Sequence, residues 1–138
     1  MRVILDTNIF VSGLLVRESI PGHILHAFLQ ERFLLLISLE IMAEILEVLS
    51  RPRFNLKREK ILEVMHALEL KAEKVTPPSK KKGFLIPEDQ ADEKFLLCAA
   101  KGKADYLVSG DIHLIRLKSY ESAAIVTPRE FINILNRT

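Results

Sequence analysis

Short apolar runs alternate along this chain with stretches in which apolar residues recur every third or fourth position. The first kind suits a strand covered on both faces, the second a helix with one buried face. Residues 2–5 predict a buried strand. Residues 8–16 and 21–31 predict helices, the second opening with Pro21, which suits a first helical position. The run Phe33-Leu34-Leu35-Leu36-Ile37 predicts a second strand. Ser38 caps a helix over 39–50 that stops before Arg51-Pro52, and Asn55 caps another over 56–70. A strand near 73–75 precedes the longest loop, 76–88, which contains Pro77-Pro78 and Lys80-Lys81-Lys82-Gly83. Asp89 caps a helix over 90–102. Residues 105–109 form a strand, a short helical stretch runs to 117, and residues 123–126 form the last strand. Thr127-Pro128-Arg129-Glu130 is a capping box that opens the final helix.

Alternating strands and helices specify an α/β domain: one three-layer unit over residues 1–138, with a central, mostly parallel sheet flanked by helices. Sites in such sheets form beyond the carboxyl ends of the strands. Length agrees, since 138 residues make one core. At 49% apolar and 28% charged, the composition is that of a soluble globular protein. No apolar run is long enough to span a bilayer, and an acid at position 6 breaks any signal-peptide pattern, so a cytoplasmic location is expected. Cys98, the sole cysteine, excludes a disulfide framework and a thiolate metal site, and reads as a small buried residue. A net charge of +2 announces no nucleic-acid binder by itself, so the distribution of charge matters more than its sum.

Acids change the picture. There are five aspartates: Asp6, Asp89, Asp92, Asp105 and Asp111. Asp6 follows Val3-Ile4-Leu5 and Asp111 follows Tyr106-Leu107-Val108-Ser109-Gly110, which puts both at the carboxyl ends of strands. Each is either a helix cap or a site residue. For Asp6, Thr7 or Asn8 caps the next helix equally well. Asp92 shares a helix face with Phe95, Leu96 and Ala99, the face a helix buries; it is either helped by the helix dipole or part of a site. Glu44 is the glutamate of its helix closest to the apolar stripe Ile41, Ile45 and Val48, although a solvated acidic edge explains that helix too. Asp105 starts its strand and lies at the opposite end from Asp111. Four ionised carboxylates share a small volume only if a cation neutralises them, and hard oxygen donors select magnesium, manganese or calcium over zinc.

The pattern resembles the PIN domain, a family of metal-dependent nucleases that includes many toxins of toxin–antitoxin pairs. The resemblance covers nearly the whole chain. It is carried by Val3-Ile4-Leu5-Asp6-Thr7-Asn8, by Ser38 through Glu44-Ile45 to Arg51-Pro52, by Asp89-Gln90-Ala91-Asp92 with Phe95-Leu96 and Ala99-Ala100, by Ala104 through Asp111, and by Ile125 to Phe131. Each segment alone is weak; their order and spacing are specific. The resemblance implies that Asp6, Glu44, Asp92 and Asp111 are the catalytic, metal-binding acids for Mg²⁺ or Mn²⁺, with Glu44 outermost. Asn8 and Ser109 would orient them. Ser109 stands where the family often has threonine, and keeps the hydroxyl.

The implied activity is hydrolysis of RNA phosphodiester bonds that leaves a 5′-phosphate and a 3′-hydroxyl. Implied partners are single-stranded or structured RNA, a second copy in a homodimer, and a small antitoxin covering the acids. Arg51, Arg53, Lys57, Arg58 and Lys60 make either a basic rim that holds the RNA backbone or a solvated helix surface. No aromatic stacking platform is evident, because Phe28, Phe33 and Phe95 read as core. His23, His26, His66 and His113 read as surface or partly packed residues, with His113 nearest the acids. The stripe Ile61, Leu62, Met65, Leu68 and Leu70 reads as core or a subunit contact. A receiver-like domain needs paired acids after its first strand, and a haloacid-dehalogenase-like phosphatase needs an aspartate where Asn8 stands. Two alternatives stay open: a non-catalytic RNA-binding or assembly module, and a DNA-directed nuclease.

Overall fold

A computed structural model describes residues 1–78 and 92–138. The elements run β1 (Arg2–Leu5), α1 (Thr7–Leu15), α2 (Ile20–Leu29), β2 (Leu34–Ile37), α3 (Leu39–Leu49), a 3₁₀ turn (Pro52–Phe54), α4 (Arg58–Lys71), β3 (Glu73–Lys74), α5 (Glu93–Gly102), β4 (Tyr106–Val108), α6 (Ile112–Ile115), β5 (Ser119–Tyr120), β6 (Ala123–Val126) and α7 (Pro128–Asn136). The strands form one sheet in the order β3-β2-β1-β4-β6-β5. All pairings are parallel except β5 with β6. This is the expected α/β architecture, with a mostly parallel sheet among helices.

The strand order positions the site. From β1 the chain moves outward through β2 to β3, then returns to lay β4 on the other side of β1. The crevice at such a reversal, beyond the carboxyl ends of the strands, is where α/β sheets bind ligands. Register fixes what meets there. Leu5 lies beside Val108, and the Asp6 backbone N–H donates to the Val108 carbonyl at 3.0 Å. Asp6 and Ser109 are therefore neighbours across the top of the sheet.

The core explains why these runs form strands. Val3, Ile4, Leu5, Leu35, Leu36, Ile37, Leu107 and Val108 are all at most 1% exposed. Burial of each such side chain stabilises the fold by roughly 1.5–3 kcal/mol. Helix α5 packs on β1, β2 and β4 through Phe95, Leu96, Cys98 and Ala99. Cys98 is buried as expected, and burial pushes its thiol up to about 12.

Several local expectations shift. Ser19, rather than Pro21, starts α2: its side chain accepts from Gly22 N–H at 3.1 Å, and Pro21 takes the second position. Asn55 caps the 3₁₀ turn from behind instead of opening α4. Its φ of 48° is left-handed, and its N–H returns to the Pro52 carbonyl at 3.0 Å. Asparagine tolerates that conformation, so it serves as a stop here. Strand β5 is too short to leave a periodic signal. In α4, Ile61 and Leu68 are buried, whereas Leu62 and Leu70 are 53% and 68% exposed. The capping box at Thr127 and Glu130 is complete. The Asp89 cap and the lysine run lie outside the described residues.

Candidate active site

Four acids from four separate elements line one cleft of about 280 Å³: Asp6 at the end of β1, Glu44 on α3, Asp92 at the start of α5 and Asp111 beyond β4. Thr7, Asn8, Arg51, Arg53, Phe54 and Phe95 share the lining.

Asp6 is 6% exposed. It occupies the position before α1, yet it makes no capping hydrogen bond of ordinary geometry. Its Oδ2 instead accepts from Ser109 Oγ at 2.7 Å. Burial pushes its pKa above the usual carboxylate range. The hydrogen bond from Ser109 and the Asn8 backbone oppose this, and the charges of Glu44 and Asp111 add to it. Ser109, fully buried, also receives the Asp111 backbone N–H at 3.0 Å, so one hydroxyl holds the two strand-end acids in register. Asp111 lines the cleft as well, and its Oδ1 caps α6 by accepting from His113 N–H at 2.9 Å.

Asp92 is 7% exposed, with Oδ2 fully buried, on the face of α5 that carries Phe95, Leu96 and Ala99. Glu44 looks inward from α3, and both its oxygens are engaged. Thr7 Oγ1 donates to Oε2, and the Lys94 ammonium lies 2.8 Å from Oε1. Glu47, by contrast, is exposed and paired with Arg51 at 2.9 Å.

Sequence reasoning missed three residues here. Lys94 is only 9% exposed. Its one signal was that Leu97 and Cys98, three and four residues on, are apolar, so the helix face it occupies is buried. Thr7 was weighed only as a cap. Phe54 went unnoticed because it stands in no apolar pattern. Of the expected basic rim, Arg51 and Arg53 line the cleft. Lys57 and Arg58 are exposed at the start of α4 and do not line it. Lys60 borders a different cleft and lies 3.8 Å from Glu63. His23, His26 and His66 are exposed; His113 does not line the acid cleft.

In kind, the donors fit a hard divalent cation: carboxylate oxygens facing a solvent-connected cleft. As they stand among the described residues, no three acidic, histidine or cysteine side chains are gathered closely enough to hold an ion.

Acids gathered beyond the carboxyl ends of a mostly parallel sheet, Asp6 and Asp92 of them buried, mark this as an acid-centred α/β domain. The chain belongs to the PIN-domain family, whose model matches residues 2–113. PIN domains are generally nucleases and typically use divalent metal ions. A relative of uncharacterised function from Methanocaldococcus jannaschii is 28% identical over 143 aligned positions, covering 96% of this chain and 90% of the relative. No helix among the described residues is long and apolar enough to cross a membrane.

Proposed function

We propose that this protein is a metal-dependent endoribonuclease, acting as the toxin of a toxin–antitoxin pair. The observation that carries the reading is the convergence of Asp6, Glu44, Asp92 and Asp111 from four elements on one cleft. Asp6, Asp92 and Asp111 are the residues that would hold Mg²⁺ or Mn²⁺, with Glu44 behind them. A divalent ion bound there supplies a water of lowered pKa and neutralises charge on the phosphoryl oxygens. The chain's own residues do the rest. Ser109 fixes the Asp6 carboxylate and the turn that carries Asp111. Thr7 and Lys94 hold Glu44. Arg51 and Arg53, at the rim, suit the phosphates of an RNA strand. A homodimer and an antitoxin that covers the acids complete the proposal.

The test is cleavage of end-labelled single-stranded RNA with Mg²⁺ or Mn²⁺ by the wild type, by EDTA-treated protein and by Asp6→Asn. Cleavage lost in both controls, with 5′-phosphate ends from the wild type, is the expected result. Cleavage that survives both controls sinks the carboxylate–metal reading.

A further inference from the structure

The lining of the cleft is of two kinds. Part of it is acidic. Part comes from the 3₁₀ turn Pro52–Phe54, which contributes Phe54 and Arg53. The Arg53 guanidinium lies over the Phe54 ring, 4.8 Å from its centroid. Arg53 is exposed, and among the described residues it pairs with no carboxylate; neighbouring Arg51 is held by Glu47 through two hydrogen bonds. The turn itself is fixed. Phe54 N–H returns to the Arg51 carbonyl at 3.1 Å, and left-handed Asn55 closes it behind. The ring is half-buried and packs on the core along one side.

We propose that the Arg53–Phe54 pair is a base-stacking platform, which seats an unpaired nucleobase of single-stranded RNA beside the acids. This rests on the nuclease reading and deepens it by naming the side chains that would seat a base of its substrate. Aromatic rings and guanidinium planes are the two surfaces on which single-stranded bases stack, and every base offers a π face. Bases of a duplex are stacked on each other, so such a platform selects unpaired strands without reading sequence. A rigid turn suits the role, because a platform that is already ordered loses little entropy when a base docks. With the ring packed on the core along one side and the exposed Arg53 guanidinium over it, the guanidinium plane backed by the ring is the surface offered to a base.

The experiment measures binding of fluorescein-labelled RNA by anisotropy, with Asp6→Asn in every arm to prevent cleavage. Three probes are compared: a short single strand, the same strand with its central bases removed, and the matching duplex. Phe54→Leu, which keeps an apolar side chain, should weaken single-strand binding by about tenfold. It should leave the abasic strand and the duplex unchanged. Arg53→Gln should show the same base-dependent loss, and it serves if Phe54→Leu fails to fold. An equal loss on the intact and abasic strands, no loss on either, or no measurable single-strand binding overturns the platform. Failure of the nuclease reading shows separately, as wild-type protein that cuts no RNA. Wild-type cleavage combined with unaltered base dependence leaves the nuclease standing and removes the platform.

Discussion

The two ends of the sheet handle charge in opposite ways. At the amino ends of the strands, Arg2 meets Glu73 at 2.7 Å, its Nε donates to the Gly102 carbonyl at 2.9 Å, and its backbone N–H donates to Asp105 at 2.8 Å. Arg2 and Glu73 face one another near solvent, 35% and 44% exposed. At the carboxyl ends, four acids line one cleft; Glu44 is paired with Lys94, and Asp6 and Asp92 are nearly buried. A fold selected only for stability has no reason to bury like charges together. The difference separates Asp105, which ties two strands, from Asp6 and Asp111, which sit where chemistry would occur.

Breaking the acidic end should produce the largest effect. Asp6→Asn removes a charge and keeps the shape, so RNA cleavage should fall by more than about a hundredfold. The circular-dichroism spectrum should stay native. Asp105→Asn, at the other end, should leave the cleavage rate unchanged; an equal loss in both variants would erase the distinction between the ends. Next comes Ser109→Ala, which deprives Asp6 and the Asp111 backbone of one shared hydroxyl. It should cost roughly 1–3 kcal/mol of stability by denaturant titration and about ten- to a hundredfold in cleavage. Ser109→Thr retains the hydroxyl and should recover most of the cleavage; no recovery would mean that the serine matters for its size alone.

Much of this geometry was legible in the sequence, for identifiable reasons. Asp6 and Asp111 ended apolar runs, and an acid directly after a buried strand has only a cap or a site to serve. Asp92 was readable because helical periodicity put it on the face of Phe95 and Leu96. Glu44 was the hardest of the four, since an amphipathic helix accounts for a glutamate at its edge. Lys94 was not legible. Its placement depends on a tertiary meeting between α5 and α3, and a lysine in a helical stretch ordinarily goes to solvent. Phe54 failed for a related reason: a lone aromatic in an irregular turn carries no period. Asn55 and Pro21 show the limit of local rules. Asparagine serves helix starts and left-handed stops alike, and proline fits either of the first two helical positions, so the neighbouring backbone decides.

Lys94 gives the next prediction. Its ammonium pairs with Glu44, an acid lining the cleft. Lys94→Met keeps the length of the side chain and removes the charge. The metal-free protein should lose about 2 kcal/mol, because Glu44 then lacks its charged partner. With more uncompensated negative charge in the cleft, Mn²⁺ should raise the melting temperature more in Lys94→Met than in wild type. An equal or smaller Mn²⁺ shift would show that the lysine only packs.

The smallest effect is also the sharpest test of the contrast, because its sign differs between the two ends. The hydrogen bond from Arg2 holds Glu73 below the usual carboxyl range, whereas burial holds Asp6 above it. For Glu73 the unfolded chain binds the proton more readily, so the pair's contribution is present above the ordinary carboxyl pKa and is lost as pH falls through the folded value. For Asp6 the metal-free folded state binds the proton more readily. Stability therefore rises as pH falls from above its folded pKa toward the ordinary value. Melting curves across the acid range, with metal removed, should show Glu73→Gln less stable than wild type at neutral pH by under about 1 kcal/mol, the scale of an exposed pair. That gap should close on acidification. Asp6→Asn should instead be at least as stable as wild type at neutral pH, with its advantage shrinking as pH falls. Curves of the same sign for both variants would mean that the two ends do not differ in how they hold charge, and the reading of the acidic end as a site would lose its physical basis.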